Sequence, residues 1–206
     1  MNQYQLSADE LDALRELTNI GMGRAGAKLS EVFESKVKLS VPQVEFGNQS
    51  TVTNLVQQFG RKSDPVNIVQ QEFMGQMLGR SSLLFGGSAI NALMEYLGYD
   101  DEDAKSQAIQ KEIFNELTNV INSASLSGLS EAMQLDVHLA QPVLVEFETR
   151  SELVDANRLL DTSSDQVLLI DIKLEIEEKG VHCDNIISLR PEGLQHLISS
   201  LRALMA

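Results

Sequence analysis

The sequence predicts an α+β fold in which helices are layered on an antiparallel sheet, with the whole arrangement occurring twice in one chain. The duplication rests on the stretch Glu16-Leu17-Thr18-Asn19, which returns unchanged a hundred residues later as Glu116-Leu117-Thr118-Asn119. At the same offset Leu29-Ser30-Glu31 returns as Leu129-Ser130-Glu131, Val37 as Val137, Leu39 as Leu139 and Pro42 as Pro142. The fold class rests on periodicity. In each copy a long segment with apolar residues every three or four positions gives way to alternating segments, as an amphipathic helix gives way to half-buried strands. A repeat of this length implies two copies of one supersecondary unit packed about a pseudo-twofold axis, as in a fused homodimer. The expected organisation is one domain over 1–206, with internal repeats at about 7–98 and 107–204.

The first helix begins at a capping box, Ser7 with Glu10 three residues on, and Leu6 and Leu11 are spaced for a hydrophobic staple. It is expected to run to about Ser35. Leu11, Leu14, Thr18, Gly21, Ala25, Leu29 and Val32 fall on one helical face, while Asp12, Glu16 and Asn19 cluster on nearly the opposite one. Gly21, Gly23 and Gly26 each cost a helix about 1 kcal/mol relative to Ala, which implies close approach of a second backbone. Ser123, Ala124, Ser125 and Gly128 imply the same need in the second copy.

Val37 to Phe46 alternates as a half-buried strand does, and Thr51 to Val56 is a weaker strand candidate. Gly60 to Pro65 reads as a loop. Val66 to Phe73 and Gly75 to Phe85 read as strands joined by a tight turn near Gly75. Ser88 can cap a short helix that packs Ala89, Leu93, Met94 and Leu97 and ends at Gly98. The acidic run Asp100-Asp101-Glu102-Asp103 marks the hinge between copies. A second long helix, starting there or near Ser106, runs to about Met133, and Val137 to Phe147 repeats the first strand. Glu152 to Asp165 is polar and poorly patterned, and reads as a short helix followed by a loop. Val167 to Ile176 and Val181 to Leu189 form a hairpin across Lys179-Gly180. Pro191 suits a first helical position, and Leu194, Leu197, Ile198, Leu201 and Leu204 supply the apolar face of the last helix.

Composition narrows the function. The 206 residues, 43% of them hydrophobic, are enough for one good core. Thirty acidic against sixteen basic residues give a net charge of -14, the wrong sign for a nucleic-acid partner. A lone Cys183 and the scattered His138, His182 and His196 form neither a disulfide nor a zinc-ligand spacing. There is no N-terminal signal pattern and no apolar run near the ~20 residues of a membrane span, so the expected location is cytoplasmic, with no membrane partner.

Glu16 and Asn19 are neighbours on the helix surface, with Asp12 one turn earlier; Glu112, Glu116 and Asn119 repeat the arrangement. A single such face would be ordinary solvated polarity. Two copies that have diverged over most of their length yet keep the same exposed polar face point to function, because core packing does not require it. An amide both donates and accepts hydrogen bonds, so it can orient a water molecule. The sequence offers no nucleophile-base cluster, Walker-type phosphate loop or full set of metal ligands, and an exposed helix face is no cleft for a paired-carboxylate acid and base. These residues therefore read as half of an active site, completed by a partner that brings the electrophile and any metal.

The pattern Asp12-x3-Glu16-x2-Asn19-x22-Pro42, repeated as Glu112, Glu116, Asn119 and Pro142, resembles the signature of the CheC/CheX/FliY phosphatases of bacterial chemotaxis. The resemblance implies a CheC-like layered α+β sandwich with the two motif helices side by side on its surface. It further implies that the substrate is the aspartyl-phosphate of a CheY-like receiver. That receiver supplies Mg²⁺ and a Lys, so the chain needs no metal or cofactor of its own. Asn19 or Asn119 would orient the attacking water, Glu16 or Glu116 would pair with the receiver Lys, and Asp12, Glu112, Pro42 and Pro142 are supporting motif positions. Glu112 departs from the Asp or Ser usual at its position by added length. Some relatives bind the receptor deamidase CheD, which adds a second partner class. The rival expectation is a module that docks on receivers or CheD and regulates them without hydrolysis.

Overall fold

The computed structural model describes residues 6–59, 66–86, 106–145, 167–176 and 181–206, with Ala92, Met94, Glu95, Gly98 and Tyr99. Helix α1 (Ala8–Val32) starts where its capping box places it. The Ser7 backbone N–H donates to Glu10 Oε2 at 2.7 Å, and the Glu10 N–H donates to Ser7 Oγ at 3.1 Å. The box leaves one Glu10 oxygen free to accept from Arg202 Nε at 2.6 Å, and that bond holds the Glu10 carboxyl below its ordinary value. The helix ends at Val32, short of Ser35, and Val32 is exposed rather than part of the buried face. Glu34 takes a left-handed conformation (φ 44°), and the Ser35 N–H reaches back to the Ser30 carbonyl at 3.3 Å. The second long helix, α3 (Gln107–Met133), ends the same way a hundred residues on: Gln134 has φ 54° and the Leu135 N–H meets the Ser130 carbonyl at 2.9 Å.

The remaining elements are β1 (Val37–Gly47), α2 (Gln49–Gln58), β2 (Val66–Gly75), β3 (Gly79–Gly86), α3 (Gln107–Met133), β4 (Val137–Leu139), β5 (Val143–Val145), β6 (Val167–Ile176), β7 (Val181–Leu189) and α4 (Pro191–Met205). The strands form one antiparallel sheet in the order β1-β6-β7-β3-β2-β4, with β5 also on β2. Exchanging β1 with β4/β5, β6 with β2 and β7 with β3 returns the same order read from the other edge. Helices α1, α3 and α4 cover one face through two apolar clusters, one around Ala25, Phe85, Phe114 and Leu174, the other around Leu14, Met22, Leu129, Ile172 and Leu197.

The strand expected over Thr51 to Val56 is instead α2. Asn48 caps it, its Oδ1 accepting from the Ser50 and Thr51 N–H groups at 2.9 and 3.2 Å. Val52, Leu55, Val56 and Phe59 then pack on Ile68, Leu84, Leu169 and Ile186 of the opposite sheet face. Burial of that helical stripe outweighs the β preference of Thr and Val. The strand expected from Gly75 starts at Gly79, because Gly75, at φ 120°, is the last residue of β2 and leads into the turn. The strand expected over Val137 to Phe147 is broken into β4 and β5 around Pro142, and its end lies outside the described residues. Also outside them are Gly60 to Pro65, Ser88, Ala89, Leu93, Leu97, the acidic hinge, Glu152 to Asp165 and Lys179-Gly180. Met94 is buried in the first apolar cluster. No helix among the described residues is long and apolar enough to cross a membrane.

On the sheet face away from α1, Lys173 pairs with Asp184 and stands 3.5 Å from Asp171. Burial pushes both carboxyls up, against the pull of Lys173. A raised carboxyl retains in the folded state a proton that the unfolded chain gives up. Its favourable contribution is therefore complete below the ordinary carboxylate value and is lost as pH rises through the raised one. Asp171→Asn escapes that loss. Relative to the parent, its urea midpoint should be higher at about pH 7 than at about pH 4. A difference that does not grow with pH would contradict burial as the cause.

Candidate functional site

The site is built on α1 and α3, which touch backbone to backbone. A methyl on Gly21 would overlap the Gly128 carbonyl, and one on Gly128 would overlap that of Gly21. Of the other glycines in α1, Gly26 faces the Val37 carbonyl at ordinary contact distance, while Gly23 faces open space and serves no close approach. At the surface Lys28 Nζ lies 3.4 Å from Glu131 Oε1, joining the two helices.

Within each Glu-Leu-Thr-Asn stretch the helical period separates core from solvent. Thr18 and Thr118 are wholly buried and Leu117 nearly so, Leu17 is half-buried, and Glu16, Asn19, Glu116 and Asn119 are exposed. Thr18 Oγ1 donates to the Leu14 carbonyl at 2.7 Å. Asp12 accepts from Arg15 Nη1 at 3.0 Å, and Glu112 is exposed one turn before Glu116. Among the described residues no group of three or more His, Cys, Asp or Glu side chains could hold a metal ion.

The two prolines act on the sheet. In the β1–β6 pairing, Ser40 faces Lys173 and Gln43 faces Asp171, so the stretch containing Pro42 carries one extra residue opposite Ile172. In the second copy Leu139 faces Phe73 and Val143 faces Gln70, again with one extra residue, in the stretch containing Pro142. Proline has no N–H for the ladder, so a bulge or break at an edge is where a sheet tolerates it. Gln71 stands opposite the second irregularity as Ile172 stands opposite the first.

Sequence reasoning missed Gln71, and with it a buried chain of amides. Gln71 Nε2 donates to the Ala140 carbonyl at 2.7 Å and to Asn119 Oδ1 at 3.1 Å. Gln71 Oε1 accepts from Asn122 Nδ2 at 2.8 Å, and Asn122 Oδ1 accepts from Asn185 Nδ2 at 2.9 Å. Ser81 Oγ lies 2.6 Å from Asn185 Oδ1 and 2.8 Å from Asn122 Oδ1, and its single proton serves one at a time. Asn119 therefore has a structural partner, contrary to the expectation that both motif asparagines project freely. The Asn19 carboxamide has no hydrogen-bond partner among the described residues. The available signal was Asn122, a polar residue at a core-facing helical position where the first copy has Met22.

The sequence pattern of the CheC-like family matches residues 10–46, a span that holds Asp12, Glu16, Asn19 and Pro42. Over 141 residues the chain is 23% identical to the CheY-P phosphatase CheC of Bacillus subtilis (strain 168), a match covering 66% of this chain and 66% of that protein. Over these residues the chain is similar to the CheC-like proteins. Among solved structures it resembles Thermotoga maritima FliY, with TM-score 0.69, 19% identity, and 96% of this chain and 98% of the other covered. It also resembles the FliM middle domain from H. pylori, with TM-score 0.62, 9% identity, and 95% and 99% covered. At these identities the structural matches speak for the fold alone, the CheC-like α+β arrangement. In this chain each of the two long helices carries an exposed Glu and Asn, Glu16 with Asn19 and Glu116 with Asn119, and an edge of the sheet is irregular in the stretch that holds Pro42 or Pro142.

Proposed function

We propose that the protein is a phosphatase that removes the aspartyl-phosphate of a CheY-like receiver domain. The observation that carries this is the pair of exposed Glu-Asn faces, identical in sequence and presented from two helices held together at Gly21 and Gly128. The similarity to a CheY-P phosphatase supports the substrate class. Hydrolysis of an acyl phosphate requires in-line attack by water, and its barrier is governed by positioning and electrostatics. In this reading the receiver brings its own Mg²⁺ and Lys. Asn19 or Asn119 reaches in to orient the water through its carboxamide, and Glu16 or Glu116 engages the receiver Lys and sets the docking register. Lowering the barrier by about 3 kcal/mol corresponds to ~10²-fold acceleration.

The protein is then one domain of two related halves, each half offering a site. The test is phosphate loss from receivers of the same host, phosphorylated in the presence of Mg²⁺, with and without the protein. Acceleration of about 10²-fold is expected. Glu16→Ala combined with Glu116→Ala should raise KM more than it lowers kcat, since a registering ion pair contributes mainly to binding. The alternative is a module that docks receivers or CheD without hydrolysis. Saturable receiver binding with no faster phosphate loss would select it.

A further inference from the structure

We propose that Gln71 is a positioning residue for Asn119, and that the buried amides behind it make the second motif a preorganised site while the first is not. The polarity of the chain of amides is set at one end by a group that cannot be reversed. The Ala140 backbone carbonyl only accepts, so the amide edge 2.7 Å from it must be Gln71 Nε2. Gln71 then presents Oε1 to Asn122 Nδ2 and its second N–H to Asn119 Oδ1. Asn119 is therefore held with its carbonyl turned toward the sheet, leaving its NH₂ and one carbonyl lone pair for an incoming partner.

Gln71, Ser81, Asn122 and Asn185 are all at most 2% exposed, so competing water does not loosen the arrangement. The irregularity at Pro142 is what frees the Ala140 carbonyl for Gln71, since the Ala140 N–H already pairs with the Glu72 carbonyl at 2.9 Å. In the first copy the corresponding positions are apolar: Met22 replaces Asn122 and Ile172 stands where Gln71 does, both in an apolar cluster. Asn19 accordingly has nothing to orient it among the described residues. A catalytic amide already held in one orientation spares the ordering cost at docking, and the gain should appear in kcat.

The kinetic arm rests on the receiver-phosphatase reading. In an Asn19→Ala background, where only the second site remains, Gln71→Met is expected to lower kcat about tenfold with KM changed less than about twofold. In an Asn119→Ala background the same substitution should change neither. Equal losses in both backgrounds, or none in the first, would overturn the inference. Should Gln71→Met fail to fold, Gln71→Ile with Asn122→Met installs the first copy's own residues and should give the same split. A second readout is independent of activity. Side-chain ¹⁵N relaxation of the carboxamides should show Asn119 ordered and Asn19 mobile in the parent, with Asn119 becoming as mobile as Asn19 in Gln71→Met. Equal mobility in the parent refutes the positioning role even if the protein is an active phosphatase. An ordered Asn119 in a protein inactive on every receiver upholds the positioning role and defeats the phosphatase reading alone.

Discussion

Replacing both Asn19 and Asn119 by Ala should remove nearly all acceleration of receiver dephosphorylation, a loss of about 10²-fold if positioning of water supplies the ~3 kcal/mol proposed. Each single substitution leaves one working site and some activity. In the proposed reading the carboxamide only holds water, so Ala abolishes the contribution, whereas Asp would keep the acceptor but bring a charge toward a phosphoryl group. The folding cost should be small and unequal. Asn19→Ala removes an exposed, unpartnered side chain and should shift stability within about ±0.5 kcal/mol. Asn119→Ala also removes a hydrogen bond from Gln71 and should cost about 1 kcal/mol, because Gln71 Nε2 keeps the Ala140 carbonyl. The assay is decay of a phosphorylated receiver with Mg²⁺, alongside urea unfolding of each variant. A double variant that matches the parent rate would remove water orientation from the mechanism.

The largest expected effect on stability comes from adding a single methyl group at the helix crossing. Gly21→Ala places its Cβ against the backbone carbonyl of Gly128, where no side chain can rotate aside, so α1 and α3 must separate. Overpacking costs about 1–3 kcal/mol, and with the added Cβ well inside contact distance of a backbone oxygen the upper part of that range applies, outweighing the ~1 kcal/mol that Ala gains over Gly in a helix. Gly23→Ala, two residues away, meets nothing within 4 Å and should therefore stabilise by up to about 1 kcal/mol. The opposite signs make the pair a test of the packing rather than of helix propensity. Urea midpoints that move in the same direction for both would contradict the close crossing. Separation of the helices would also shift the two Glu-Asn faces relative to each other, while each face remains whole on its own helix. Gly21→Ala should then retain more activity per folded molecule than the combined Glu16→Ala and Glu116→Ala variant.

What could be read in the chain was local or periodic. The Ser7–Glu10 box, the helical face that turns Glu16 and Asn19 outward, the hundred-residue offset and the pairing of β6 with β7 all depend on residues whose spacing states their geometry. What the chain could not state depended on partners far away in sequence. The stretch Thr51 to Val56 has β-favouring residues, and beyond the local Asn48 cap it is the apolar patch made by Ile68, Leu84, Leu169 and Ile186 that favours a helix there. Gly21 and Gly23 look alike in sequence; the crossing with Gly128 gives one of them a task. Gln71 reads as one polar residue of an alternating strand, and its role arises because Asn119, 48 positions away, and Ala140, 69 away, converge on it. The period of a helix or strand fixes which way a side chain points, but the polar groups it meets are set by how the elements pack.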